Sequence, residues 1–311
     1  MNVLFDAAWN DDRRRQSLYD GHLFVVSPTP SALALVTRAR ELLEAAFAPH
    51  HPTQAQYHLS VADYAAILGK VKPAFIHDPL CKRLIPQLVA EVGGDPAQVY
   101  FDVPRMRSAT AHEYLTTGIA YAFHPHRDTW YSAPQAQLNW WFPIYELDPD
   151  NGMAFYPRHF ASPVPNSSET YNYYRWNRDN RAAATQQIGS DTRVQPRLTA
   201  DIDLGPDIRV VTPVGGMMIF SGQHLHATVP NTTDVTRFSI DFRTVHRGDL
   251  DEGLAAPRVD AHCTGTSLRD FLNCVDLSRL PADLIARYDD DSATEYADTL
   301  VYSAEQVRTS R

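Results

Sequence analysis

Hydrophobic residues along the chain change period once, and the change divides it. In the first third they recur at three- and four-residue spacing. After Ser27-Pro28-Thr29-Pro30, which offers a cap and an early proline, Leu35, Val36, Ala39, Leu43 and Phe47 share one side of a helix. Ser60 with Asp63 three residues on gives the pattern of a capping box before Tyr64-Ala65-Ala66-Ile67-Leu68, and Asp78-Pro79 opens another helix that Gly93-Gly94 closes. From about Tyr100 the period shortens to two, in runs rich in β-branched and aromatic residues broken by Pro, Gly, Asn and Asp. Strands are predicted over residues 99–107, 117–123, 135–147, 154–156, 208–212, 217–220, 226–229 and 236–244, with a tight turn at Asp150-Asn151-Gly152.

Helices first and antiparallel-looking strands after predict an α+β fold whose β part closes as a sandwich or jelly roll. No repeat or Gly/Ser linker splits the chain, so one domain is expected over residues 1–311. It would comprise a helical flank over 1–98, a β core over 99–245 and a tail over 246–311. The tail carries one amphipathic helix over 267–288, interrupted near Pro281, and is expected to offer a homodimer contact. Residues 160–207 are polar and arginine-containing and read as an insertion of the kind that covers a site.

Charge narrows the partners. With 28 Lys+Arg against 37 Asp+Glu the formal net charge is −9, which argues against nucleic acid and anionic membrane surfaces and leaves a small molecule. No apolar run approaches the ~20 residues that span a bilayer. Asp6, Asp11 and Asp12 precede Arg13-Arg14-Arg15, the reverse of a secretion signal, so a cytoplasmic location is expected. Cys81, Cys263 and Cys274 are scattered and read as reduced structural thiols.

The candidate chemistry lies in two histidine pairs, His124/His126 and His224/His226. Residues two apart on a strand face the same way, so His126 and Asp128 offer an imidazole and a carboxylate to one point, and His226 supplies a third donor. Two histidines and one carboxylate on one face of a metal leave positions open for other ligands. His124 and His224 share strand parity with their neighbours, so a cupin-type set of His124, His126 and His226 stays open as an alternative. A hairpin looping at residues 231–234 would set Thr228 opposite Arg237 and His226 opposite Ser239. A guanidinium with two hydroxyls beside a metal makes a carboxylate receptor, which fits a dicarboxylic 2-oxo acid.

These residues resemble the Fe(II)/2-oxoglutarate-dependent dioxygenases, most closely the phytanoyl-CoA dioxygenase-like branch. The matching pieces are His126-Arg127-Asp128, Trp140-Trp141-Phe142-Pro143-Ile144, Asn151-Gly152-Met153 running into Tyr156-Pro157-Arg158-His159, and His226 with Thr228 and Arg237. The resemblance spans residues 121–243, with a weaker echo at Asp20-Gly21-His22-Leu23-Phe24-Val25-Val26. It implies a double-stranded β-helix and a metal held by His126, Asp128 and His226. The 2-oxoglutarate tail would meet Arg237 and Thr228. It also implies hydroxylation of an unactivated C–H bond by O2, releasing succinate and CO2, with ascorbate as the in vitro reductant. With nucleic acid disfavoured by charge and no mark of a protein or lipid target, the expected substrate is a small polar metabolite or natural-product intermediate. Arg237 spacing favours His226 over His224 as the distal ligand. Asn139 is expected on co-substrate or substrate, and His124 near the substrate. Tyr174, Arg175 and Trp176, in the aromatic and basic run of the insertion, are candidate substrate contacts. A non-catalytic jelly-roll binding module would explain the strands and aromatics but not the ligand set.

Overall fold

The computed structural model describes residues 1–290. The chain opens with β1 (Val3–Phe5), α1 (Asp11–Tyr19) and β2 (Leu23–Val26). These two strands pair parallel to each other and extend the main sheet, so the first third is not wholly helical. Three longer helices follow, each starting where its cap predicts. Thr29 accepts the Ala32 N–H at the head of α2 (Pro30–Phe47), Ser60 the Asp63 N–H at α3 (Val61–Ile76), and Asp78 the Leu80 N–H at α4 (Pro79–Glu91). Gly93, at φ +84°, lets the chain turn off the end of α4 with its N–H on the Ala90 carbonyl. The apolar stripe of α2 from Leu35 to Phe47 is buried as its spacing requires.

The remaining elements are β3 (Val99–Phe101), β4 (Arg105–Ala109), β5 (Leu138–Pro143), β6 (Met153–Phe155), α5 (Tyr173–Asp179), β7 (Ile208–Arg209), β8 (Met217–Ser221), β9 (His226–Thr228), β10 (Arg237–His246), α6 (Arg247–Glu252), β11 (Leu272–Asn273) and α7 (Ala282–Ala286). The large sheet runs β1-β2-β8-β5-β10-β3-β11, with β4 also paired to β10, and a small sheet runs β7-β6-β9. Strand β10 sets the logic. Phe238, Ile240 and Phe242 join Leu35, Leu43 and Phe75 in the core under the helices, while Arg237, Asp241 and Arg243 point to the opposite face. On that face Val25, Trp141, Met218 and Phe220 pack against Phe155 and Ile208 of the small sheet, so the two sheets face each other. Phe242 is fully buried with its ring 5.3 Å from Trp140. Phe242→Ala is expected to cost about 3–5 kcal/mol, read from the urea unfolding midpoint.

Several expected elements differ. β9 does not pair with β10: it pairs with β6, whereas β10 pairs with β4 and β5. The intervening loop crosses from one sheet to the other and is pinned by Asn231 Nδ2 donating to the Ala109 and Val235 carbonyls. Residues 117–123 form no strand but a 3-10 turn, Gly118–Ala120, because the insertion docks there. Gly118 has φ +60°, and a Cβ on it would collide with the Ala184 and Gln187 carbonyls. Residues 267–288 break into a 3-10 turn, β11 and α7 rather than one amphipathic helix, since Leu268, Phe271 and Leu272 all enter the core. Residues 291–311, on which part of the expected homodimer contact falls, lie outside the described residues. No described helix is long and apolar enough to cross a membrane.

Candidate metal centre

His126 and His226 meet through their backbones, each N–H donating to the other's carbonyl at 3.0 and 2.9 Å. This bridge brings two imidazoles from segments a hundred residues apart to one place, with ring centroids 4.3 Å apart. Asp128 begins a 3-10 turn (Asp128–Tyr131), its N–H on the Gly222 carbonyl at 3.0 Å. The carboxylate Oδ1 then sits 3.5 Å from His126 Nε2 and 3.9 Å from His226 Nε2, and one ligand atom of each residue lies within 4.8 Å of the others.

The protonation pattern suits a cation. Nδ1 of His126 lies 2.9 Å from the His124 carbonyl, and Nδ1 of His226 lies 2.9 Å from the His224 carbonyl. A carbonyl only accepts, so each Nδ1 carries the proton and each Nε2 turns a lone pair toward Asp128. Burial, and then the neighbouring His126, push His226 down to about 4, keeping it neutral. Burial alone would raise the Asp128 carboxyl, but the charge of the neighbouring Arg243 opposes it, and the group is held well below the usual carboxylate range. Asp128 Oδ2 accepts from Gln137 Nε2 at 3.2 Å and lies 3.7 Å from Arg243 Nε. Gln137→Leu removes this orienting bond and is expected to weaken metal binding about 10- to 100-fold, measured by anaerobic Co(II) titration.

Facing the triad is a cavity of about 620 Å³ that reaches His126, Asp128, His226, Asn139, Thr228 and Arg237. Thr228 and Arg237 thus converge, but from opposite sheets rather than across a hairpin. Both strands turn these side chains inward, which is sufficient. Arg237 is 5 % exposed, donates through Nε to the Asn151 carbonyl at 3.0 Å and through Nη1 to Ser239 Oγ at 2.7 Å, and lies over the Trp141 ring. Among the described residues no carboxylate lies within ion-pair distance of it. Burial pushes its pKa down to about 10, so it stays charged at neutral pH. Ser239 is fully buried behind the guanidinium and holds it in place. Asn139 accepts from Gln137 Nε2 at 2.9 Å.

Other expected positions move. The His124 side chain is exposed and serves the site through its carbonyl. His224 is fully buried among Phe155, Phe160 and Phe220, outside the triad, where burial pushes it down to about 3. On α5, Tyr173, Trp176 and Asn177 line the cavity at helical spacing. Tyr174 instead bonds Asp289 and Arg269, and Arg175 is exposed. Of the three insertion contacts named from the sequence, only Trp176 reaches the cavity. Sequence reasoning missed Gln137, which carries no local signal, and Arg243, which shares the inward parity of Arg237. It also missed Arg127. That fully buried guanidinium ties the triad segment to the start of the insertion through the His159 and Ser162 carbonyls, to the Gln223 carbonyl, and to Asp260.

No protein-family model matches the chain, and no curated protein does. Solved structures do. EvdO2 from Micromonospora carbonacea var. aurantiaca, complexed with 2-oxoglutarate, is 13 % identical over 77 % of this chain and 92 % of that one, with a TM-score of 0.43. The non-heme monooxygenase ThoJ is 17 % identical over 71 % of each chain, with a TM-score of 0.38. The epimerase SnoN, in complex with Fe3+, alpha ketoglutarate and nogalamycin RO, is 13 % identical over 75 % of this chain and 83 % of that one, with a TM-score of 0.38. In this chain His126, Asp128 and His226 form a set of three donors that could hold a metal ion.

Proposed function

We propose that the chain is an Fe(II)/2-oxoglutarate-dependent oxygenase that hydroxylates an unactivated C–H bond of a small polar metabolite or natural-product intermediate. The observation that carries this reading is Arg237: a buried guanidinium without a carboxylate partner among the described residues, opening into the same cavity as a two-histidine, one-carboxylate donor set. A buried charge is costly unless it is paired, so the site is built for an anion to arrive. The facing sheets, with the triad between them, support a double-stranded β-helix.

In this reading Nε2 of His126, a carboxylate oxygen of Asp128 and Nε2 of His226 would hold the metal. Arg237 and Thr228 would hold the far carboxylate of 2-oxoglutarate. Ser239 and the Asn151 carbonyl fix the guanidinium before the ligand comes, which reduces the ordering cost of binding. When bound, iron and 2-oxoglutarate supply the oxidation of a C–H bond by O2, with succinate and CO2 released. Phe123 stacks on His126 at 4.9 Å, and Tyr131 lies edge-on to it at 5.6 Å. Burial raises the Tyr131 and Tyr171 phenols, so both walls stay neutral and help exclude water beside the reacting carbon. The cupin-type set of three histidines loses support because the His124 ring is exposed.

Two measurements test the proposal. Titrating the Fe(II)-loaded protein with 2-oxoglutarate under anaerobic conditions is expected to develop the charge-transfer absorption of a 2-oxo-acid chelate. With O2 and ascorbate, candidate substrates are then screened for accelerated succinate release. A protein that binds Fe(II) yet shows no 2-oxoglutarate chelate would defeat the assignment.

A further inference from the structure

Seven basic side chains line the cavity, and most are already matched to an acid. Arg105 pairs with Asp102 at 2.6 Å, Arg107 with Asp241 at 2.6 Å, Arg193 with Asp191 at 2.6 Å, and Arg243 with Asp102 at 3.2 Å. Lys72 is half-buried, donates to the Ser108 hydroxyl and the Ile119 carbonyl, and is pushed down by desolvation to about 7. Two guanidiniums are left over. Arg237 is one, and the reading above gives it the co-substrate. Arg181, on the insertion, is the other. Its Nη1 donates to Asn177 Oδ1 at 2.8 Å, and among the described residues no carboxylate lies within ion-pair distance. The nearby carboxylate that acts on it electrostatically, Asp270, is engaged by the Tyr173 hydroxyl.

Between the triad and Arg181 the cavity wall is aromatic. Phe123 stacks on His126 and meets Tyr121 at 4.9 Å and Tyr131 at 6.3 Å; Tyr131 meets Tyr171 at 5.3 Å, and Tyr171 meets Trp176 at 6.1 Å. The wall thus runs unbroken from a metal-ligand candidate to the insertion helix that carries Asn177. The indole N–H of Trp176 is buried and finds no acceptor. Rings recognise rings by offset or edge contacts, and a single guanidinium with one amide neighbour matches a monoanion better than a phosphate dianion, which calls for more donors.

Resting on the oxygenase reading, we propose that the substrate is a ring-bearing carboxylic acid, its rings laid along the Tyr121 to Trp176 wall and its carboxylate held by Arg181. The site then takes two carboxylic acids at once, one on each unpaired guanidinium. Only the insertion's arginine discriminates substrates.

The test uses the full chain loaded with Zn(II) and saturating 2-oxoglutarate, so that Arg237 is occupied and no turnover occurs. Benzoate, 2-naphthoate and 2-anthroate, each beside its carboxamide, are titrated by calorimetry. The best-fitting carboxylate is expected to bind about tenfold or more tightly than its carboxamide. Arg181→Gln is expected to erase that preference while leaving carboxamide and 2-oxoglutarate affinity unchanged, and Arg181→Lys to restore part of it. Equal binding of acid and amide by the wild type, including binding of neither, overturns the inference. So does equal loss of both in Arg181→Gln, or 2-oxoglutarate affinity that follows Arg181 rather than Arg237. Failure of 2-oxoglutarate to bind at all would sink the co-substrate reading alone. The acid-over-amide preference, measured again without it in Arg237→Ala, then decides whether Arg181 holds a carboxylate.

Discussion

Asp128→Ala is expected to lower Fe(II) affinity by more than about a hundredfold and to reduce substrate-dependent succinate formation in proportion. The lower bound follows from what neighbours of metal ligands contribute, about 10- to 100-fold each, because a direct ligand must exceed that. Charge makes the effect larger here than at either histidine. The two imidazoles are neutral, so Asp128 is the only negative donor, and without it a divalent ion would sit beside the Arg243 guanidinium with nothing to offset their repulsion. Arg243 itself keeps Asp102 as a partner, so the variant is not left with an orphaned cation. The check is an anaerobic Fe(II) titration followed by calorimetry, with the urea midpoint recorded on the same sample. Metal affinity unchanged in a folded Asp128→Ala protein would remove the carboxylate from the ligand set. Asp128→Glu is expected to fall between the two, since the carboxylate survives but its extra methylene moves it off the Gln137 bond.

Helices were the most legible part of the fold. Thr29, Ser60 and Asp78 mark their starts chemically, and the apolar stripe of α2 marks its buried face, so local sequence carries the information. Period two marked most strands of the middle of the chain, but it also marked residues 117–123, which form a 3-10 turn, and it did not reveal β1, β2 and β11; pairing was not legible at all. Whether the strand after Thr228 folds back on itself or crosses to the other sheet depends on which neighbour offers the better buried surface, and this is a property of the whole chain. Thr228 and Arg237 nonetheless line the same cavity, because inward parity survives either topology. In the insertion the aromatic run was read as a cluster; once Tyr173 to Asp179 is a helix, only one face of it can reach the cavity, which admits Trp176 and turns Arg175 to solvent. Arg181 stood just past that run with no motif around it. Its meaning comes from having no carboxylate within ion-pair distance among the described residues, which no linear pattern displays.

Arg237→Ala is expected to raise the Kd for 2-oxoglutarate by at least about 30-fold, and up to a few thousand-fold, from the 2–5 kcal/mol that truncating one side of a buried charge pair costs. Its selectivity is the sharper expectation. Arg237 touches the Asn151 carbonyl, Ser239 and the Trp141 ring but none of the three candidate ligands, so Fe(II) affinity is expected to stay at the wild-type value. Wild-type protein should prefer 2-oxoglutarate to 2-oxobutyrate, which chelates with the same keto acid but lacks the far carboxylate. The variant should bind the two alike, because what it has lost is the partner of that carboxylate alone. Arg237→Lys keeps the charge but gives up the planar fork that reaches Asn151 and Ser239 together, so an intermediate preference is expected. Anaerobic titrations of both 2-oxo acids into Fe(II)-loaded wild type and variants measure all of this. If Arg237→Ala kept the full preference for the diacid, the far carboxylate would bind elsewhere, and the buried guanidinium would need another anion to account for it.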